Sequence, residues 1–141
     1  MHKILEGKKV IFFDVGNTLD YPASGDWLLT PKFFALEKEK LAGIPQADFD
    51  AANRESDALL KQQKMLNTDE EYHAIAMFYR EISDRLHLGM TDAEIEECAY
   101  DRTFNMTNYV PFPDARAVVE AMSRQFRLGV ISDTWPSAGD R

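Results

Sequence analysis

The segment Val10-Ile11-Phe12-Phe13-Asp14-Val15-Gly16-Asn17-Thr18 decides how the whole chain is read. Four consecutive β-formers, preceded by Lys8-Lys9 and followed by a short turn-prone run, predict a buried strand of the kind found inside parallel sheets. A second segment has the same pattern: Leu128-Gly129-Val130-Ile131 runs into Ser132-Asp133-Thr134. In an open α/β sheet, ligands bind beyond the carboxyl ends of the strands. If the two strands are neighbours, Asp14 and Ser132 face one crevice although 118 positions separate them. Taken singly, Asp14 reads as a turn cap and Ser132 as a strand end. Their convergence is what points to chemistry.

Between the strands the apolar spacing turns helical. Thr30-Pro31 opens a helix carrying Phe33, Leu36 and Leu41, and Gly43 with Pro45 ends it. A second helix is predicted over about 48–64, with Phe49, Ala52, Leu59 and Leu60 inward. Thr68 and Glu71 form a capping-box pattern for a third helix, whose apolar face is Tyr72, Ile75, Ala76, Tyr79, Ile82 and Leu86 and whose stop is Gly89. Thr91 and Glu94 repeat the pattern for a fourth, carrying Ile95, Cys98 and Ala99. A last helix, about 114–124, follows Pro111 and Pro113, shows Ala115, Val118, Val119 and Met122, and leads into the second strand. This order predicts an α/β core from residues 1–20 and 110–141, with a helical insertion at 21–109.

Length and composition bound the function classes. A chain of 141 residues, 45% hydrophobic and 28% charged, has the make-up of a globular protein rather than a disordered one. A net charge of −8 argues against a nucleic-acid partner, because a phosphate backbone is gripped by positive surface. A small phosphorylated substrate remains compatible, since backbone donors and a metal offset charge locally. Cys98 is the only cysteine, which excludes an internal disulfide and a cysteine-rich zinc site, and its place beside Ile95 and Ala99 assigns it to packing. His2, His73 and His87 show no metal-ligand spacing. Met1 to Gly7 lacks a signal-peptide pattern, and no apolar run approaches the ~20 residues of a membrane span. A cytoplasmic protein without a membrane partner is expected.

At the two strand ends the residue types suit anion chemistry. A carboxylate such as Asp14 is a nucleophile toward phosphorus or carbon. Gly16 allows a sharp turn whose backbone N–H groups surround an anion. Thr18 and Ser132 offer hydroxyls to phosphoryl oxygens. In this order the segments resemble the haloacid-dehalogenase-like (HAD) hydrolases. Phe12 to Leu19 is similar to the first motif of that family, a hydrophobic strand followed by Asp-x-x-x-Thr, and Gly129 to Thr134 is similar to the second. The run Pro111-Phe112-Pro113-Asp114-Ala115 matches the approach to the second motif, and the insertion resembles the family's helical cap.

The resemblance implies a Rossmannoid core and specific roles. Asp14 would attack the substrate and form an aspartyl intermediate, most often an aspartyl-phosphate. Its carboxylate and the Gly16 carbonyl would help hold Mg²⁺. Ser132, with the N–H groups of Val15, Gly16 and Asp133, would bind the phosphoryl group, and Thr18 would complete the catalytic set. Trp27, in the linker after the first motif, is a specificity candidate. Trp135-Pro136 reads as packing or as a pocket wall.

Two departures qualify these roles. Phosphatases of the family carry a second Asp two residues after the nucleophile as general acid and base, and here that position is Gly16. Asp20 and Asp26 are nearby carboxylates outside the motif. The family's later Lys and acidic motifs are also missing, because the chain ends nine residues past Ser132. The expectation is a truncated Mg²⁺-dependent phosphohydrolase that self-associates or pairs with a missing C-terminal part. A dehalogenase is a variant of the same class, and the rival is a catalytically inactive HAD-like binding protein or fragment. Without a proton donor at position 16, turnover should favour substrates with good leaving groups, since positioned acid catalysis is typically worth ~10²–10⁴-fold. Steady-state rates on aryl and alkyl phosphates test this: the aryl ester should turn over faster, and the reverse order would refute it.

Overall fold

The structure, a computed structural model, describes residues 5–140; positions 1–4 and 141, with His2 and Arg141, lie outside the described residues. In chain order the elements are β1 (Val10–Phe13), β2 (Asp20–Pro22), α1 (Pro31–Leu36), α2 (Lys38–Leu41), α3 (Gln46–Leu60), α4 (Thr68–Arg85), α5 (Asp92–Phe104), β3 (Tyr109–Pro111), α6 (Ala115–Ser123) and β4 (Arg127–Val130). Short 3-10 turns occupy Met106–Asn108 and Pro136–Asp140. The chain divides into a strand unit, within residues 1–22 and 109–134, and a helical unit, within 23–108 and 135–141. The segment from Trp135 onward, expected with the strands, belongs to the helical unit.

In the strand unit β1 and β4 pair in parallel, with Val10 opposite Arg127 and Phe13 opposite Val130. Backbone bonds from Arg127 N to Lys9 O and from Ile131 N to Phe13 O, both 3.0 Å, extend the ladder at each end. The class is therefore mixed α/β with a small parallel sheet. The strands are not buried as the sequence predicts: Val10, Phe12, Val130 and Ile131 are 42%, 58%, 61% and 65% exposed. A buried parallel strand needs neighbours on both edges and cover on both faces. Here the sheet has two strands among the described residues. The Phe12 ring lies across its partner Gly129, where an added Cβ would sit 2.6 Å from Cε1. Of the expected inward face of α6, Ala115 is buried, Val119 and Met122 are half-buried, and Val118 is exposed.

A second ladder was not legible beforehand. β2 and β3 pair antiparallel, with Asp20 opposite Pro111 and Pro22 opposite Tyr109. The Phe112 N–H donates to Leu19 O at 2.9 Å, and the rings of Tyr21 and Phe112 meet at 5.0 Å.

The helical unit holds the large core. Phe33, Ile75, Phe78, Tyr79, Ile82, Ile95 and Cys98 are fully or almost fully buried across α1, α4 and α5. Tyr79 makes its hydroxyl tolerable there by donating to Leu28 O at 2.7 Å. The predicted single helix through Leu41 is broken at Glu37 (φ −98°, ψ 9°). That break leaves Leu36 exposed, while Glu37 turns inward and pairs with Lys40 Nζ at 2.9 Å. α3 starts and ends earlier than expected, and Leu59 is exposed where Leu60 is buried.

The capping of α4 is shifted by one residue from the expected box. Asn67, not Thr68, is the N-cap: its side chain accepts from Glu70 N at 2.9 Å, and Glu70 Oε2 accepts from Leu66 N at 2.7 Å. Glu71 is freed from capping and buried. The Thr91 and Glu94 box on α5 forms as read, with Glu94 N donating to Thr91 Oγ1 and Thr91 N to Glu94 Oε2. The donor bonds from Thr91 hold the Glu94 carboxyl below the usual carboxylate range. After α4, His87 (φ 53°) and Gly89 (φ 62°) both take left-handed conformations to turn the chain.

The two units should differ sharply in their response to truncation. Ile82→Ala, in the closed helical core, should cost about 2–5 kcal/mol of stability. Ile131→Ala, at the exposed strand end, should stay within about 0.5 kcal/mol. Urea denaturation of both variants checks this, and equal losses would contradict the burial pattern.

Candidate active site

The parallel register of β1 and β4 brings the two predicted clusters together. Asp14 is the first residue after β1, and Ser132 follows the last ladder bond at Ile131. Ser132 Oγ donates to Asp14 Oδ1 at 3.0 Å. The same carboxylate oxygen accepts the Val15 N–H at 2.8 Å. Both of these partners use Oδ1, and the residue is exposed. No lysine or arginine among the described residues pairs with Asp14.

The turn after Asp14 is organised by one carbonyl. Val15 O accepts from Thr18 N, Leu19 N and Asp20 N at 3.0, 2.7 and 3.2 Å, and Asn17 N donates to Asp20 O at 2.7 Å. The left-handed position of this turn is Asn17 (φ 57°), one residue after the glycine that the sequence singled out. Asn tolerates that region better than most side chains, because its short amide relieves the strain locally. Gly16 instead forms an isolated bridge with Asp20.

The predicted anion donors separate into two groups. The Val15 N–H is already committed to Asp14, so it is not an open donor as expected. The N–H groups of Gly16 and Asp133 enter no hydrogen bond among the described residues. Thr18 is exposed on the turn, and Asp133 and Thr134 are exposed beyond Ser132. Of the alternative carboxylates, Asp26 is a structural cap: Oδ1 accepts Leu28 N and Leu29 N, and Oδ2 accepts Asn53 Nδ2, at 2.7 to 2.9 Å. Asp20 lies in β2, half-buried.

For a divalent cation, the donor chemistry is partial. Mg²⁺ is usually held by one or two carboxylates together with waters and substrate phosphate oxygens. No group of three His, Cys, Asp or Glu side chains converges among the described residues.

Sequence reasoning missed the pairing of Glu71 with Arg102 and Ser137 in the helical unit. A signal was present: Arg102 falls seven residues after Ile95, on the face shared with Cys98 and Ala99, and Glu71 precedes Ala74, Ile75 and Phe78 at helical spacing. A charge on an apolar stripe calls for a buried partner. Trp135 packs against the helical core, which favours its packing reading. Trp27 contributes its carbonyl to Arg102.

Comparison with protein-family models, with curated proteins and with solved structures finds no match to the chain.

Two further nucleophilic side chains, Cys98 and Tyr79, are buried. Burial pushes the Cys98 thiol from its ordinary 9.0 up to about 12, and also raises the Tyr79 phenol. Above pH 9.0 the unfolded chain loses the thiol proton while the folded chain keeps it up to about 12, so stability should fall as pH rises through that window. Cys98→Ala should flatten this fall in urea denaturation at stepped pH, and an unchanged slope would refute the assignment. Native Cys98 should also resist alkylation at pH values where the urea-unfolded chain reacts.

Proposed function

We propose that the chain carries the nucleophile and phosphate-contacting half of a HAD-type phosphohydrolase site. The observation that supports this reading is the Ser132 to Asp14 hydrogen bond, 3.0 Å long, formed across 118 residues at the carboxyl ends of neighbouring parallel strands. A structural cap needs no partner from so distant a part of the chain, whereas a shared crevice does.

In this reading Asp14 Oδ2 is the attacking atom, because Oδ1 is held by Ser132 and Val15. Attack forms an Asp14 O–P bond as the bond to the leaving oxygen breaks, and water then hydrolyses the aspartyl-phosphate and regenerates the carboxylate. The Ser132 hydroxyl, which fixes the carboxylate at rest, turns to a phosphoryl oxygen in the loaded site, joined by the N–H groups of Gly16 and Asp133. Thr18 is the further hydroxyl of the set. Asp14 and the Gly16 carbonyl would hold Mg²⁺, which when bound supplies neutralising charge to the phosphoryl oxygens. Gly16 supplies no proton to the departing oxygen, so the leaving group departs with its own stability.

A second reading rests on a different observation. Phe12, Val130 and Ile131 are exposed, and a two-stranded sheet leaves backbone groups unpaired at both edges. Such a surface suits a partner strand from a second copy of the chain, in an inactive HAD-like interaction protein.

Hydrolysis of an aryl phosphate with and without Mg²⁺ separates the two. The first reading expects metal-dependent turnover that Asp14→Asn abolishes and Ser132→Ala lowers on the order of 10²-fold. Turnover no higher than that of Asp14→Asn would leave the interaction reading.

A further inference from the structure

β1 has one edge that no strand covers. The bonds from Arg127 N to Lys9 O and from Ile131 N to Phe13 O direct the backbone groups of Lys9, Ile11 and Phe13 toward β4. Successive residues of a strand point their N–H and C=O groups to opposite edges, so those of Val10 and Phe12 face away from β4. Among the described residues, no other strand pairs with that side of β1. The Phe12 ring does not screen it, because the ring lies back over Gly129.

This edge is complementary to itself read backwards. Lys8, Val10, Phe12 and Asp14 alternate onto one face, and all are exposed. A twofold axis through Ile11 would make two such strands antiparallel, with Val10 opposite Phe12 and Lys8 opposite Asp14. Val10 and Phe12 would then exchange backbone hydrogen bonds, and an exposed ring would meet a β-branched side chain. Neither Lys8 nor Asp14 enters an ion pair among the described residues. The other edge of the sheet is a poorer match. α6 packs against β4, and a self-pairing that opposes Arg127 to Asp133 sets the apolar Leu128 against Ser132, whose hydroxyl is bound to Asp14.

We propose that the outer edge of β1 pairs with the same edge of a second copy, antiparallel about Ile11, and brings Lys8 of that copy to Asp14. The proposal rests on the interaction reading above, to which it adds the edge, the register and the charge pair; it does not depend on phosphoryl transfer.

The test is sedimentation velocity of the full chain across a dilution series, which should show a monomer–dimer equilibrium. Val10→Pro removes an outward N–H and takes no bond from the β1–β4 ladder, and it should weaken the dimer about tenfold or more. Lys8→Asp, which sets like charges opposite one another, should weaken it about tenfold, and adding Asp14→Lys should restore it. Ile11→Cys should cross-link two copies under mild oxidation, since residues facing each other in a non-hydrogen-bonded antiparallel pair lie about 4.5 Å apart, within disulfide reach. The unsubstituted chain, whose Cys98 is buried, is the control. A monomer throughout the series overturns the proposal and the interaction reading together. A dimer that Val10→Pro leaves intact and Val130→Pro disperses keeps that reading and overturns the β1 edge. A dimer in which Ile11→Cys does not cross-link, or in which the charge reversal does not restore what Lys8→Asp loses, overturns the register. If Val10→Pro does not fold, the charge reversal and the cross-link decide.

Discussion

The narrow β2–β3 ribbon is the constraint on which the placement of Asp14 and Ser132 depends. A parallel ladder between residues so far apart must close a long loop, at an entropic cost of about 4 kcal/mol if the intervening chain were structureless. The ribbon changes that problem. Pro22 opposite Tyr109 closes the base of the insertion from the strand side, and the bond from Ala23 N to Asn108 O, 2.8 Å, closes it from the helical side. Once the insertion is closed on itself, the chain left between β1 and β4 is two short connections. One is the turn gathered by the Val15 carbonyl, and the other is α6 with its flanks. The four-residue ladder then has little further order to impose.

The two units solve different problems. The helical unit gains its stability from a closed aromatic and aliphatic core, and several of its polar exceptions are matched: Tyr79 to Leu28 O, Glu71 to Arg102 and Ser137, Asp26 to the N–H groups of Leu28 and Leu29. The strand unit leaves large side chains in water and gains little from burial. What it supplies is geometry. Parallel pairing directs both carboxyl ends the same way, so an acid and a hydroxyl from opposite ends of the sequence meet without any helix between them. A stable insertion and a lightly buried sheet that bears the polar residues is the division expected when one part of a chain holds shape and another is open to a ligand.

Much of this was legible because the signals were local. The run Val10 to Phe13, the Thr91 and Glu94 box and the helical stripe Ile75, Tyr79, Ile82 depend on near neighbours, and they formed where periodicity placed them. The parallel pairing was legible as a conditional, since two similar strands with polar ends invite it. The ribbon was hidden because three-residue strands with a proline at one end carry almost no period. Strand burial was misjudged for a related reason: an apolar run reports what a strand would bury if covered, not whether cover exists. Thr68 and Glu71 fitted a capping box as well as Asn67 and Glu70 did. The decision came from Arg102 and Ser137, distant partners that took Glu71 into the core.

Charge bears on the proposed chemistry more strongly than geometry does. A phosphate ester arriving at Asp14 meets a carboxylate, with Asp133 next in sequence to Ser132 and a chain of net charge −8. Each like-charge pair at about 4 Å costs roughly 1 kcal/mol in water, and several times more where water is thinned. The described donors without internal partners, the Gly16 and Asp133 N–H groups, offset part of this but bring no net charge. Exposure of Asp14 keeps its own carboxylate solvated, which lowers the repulsion and also blunts its nucleophilicity. On the proposed reading, a cation at the phosphoryl oxygens would offset this repulsion. The same argument separates the two substrate classes that an aspartate nucleophile can serve. A carbon electrophile brings less negative charge and needs no such partner, so metal dependence reports which class of electrophile the Asp14 carboxylate meets.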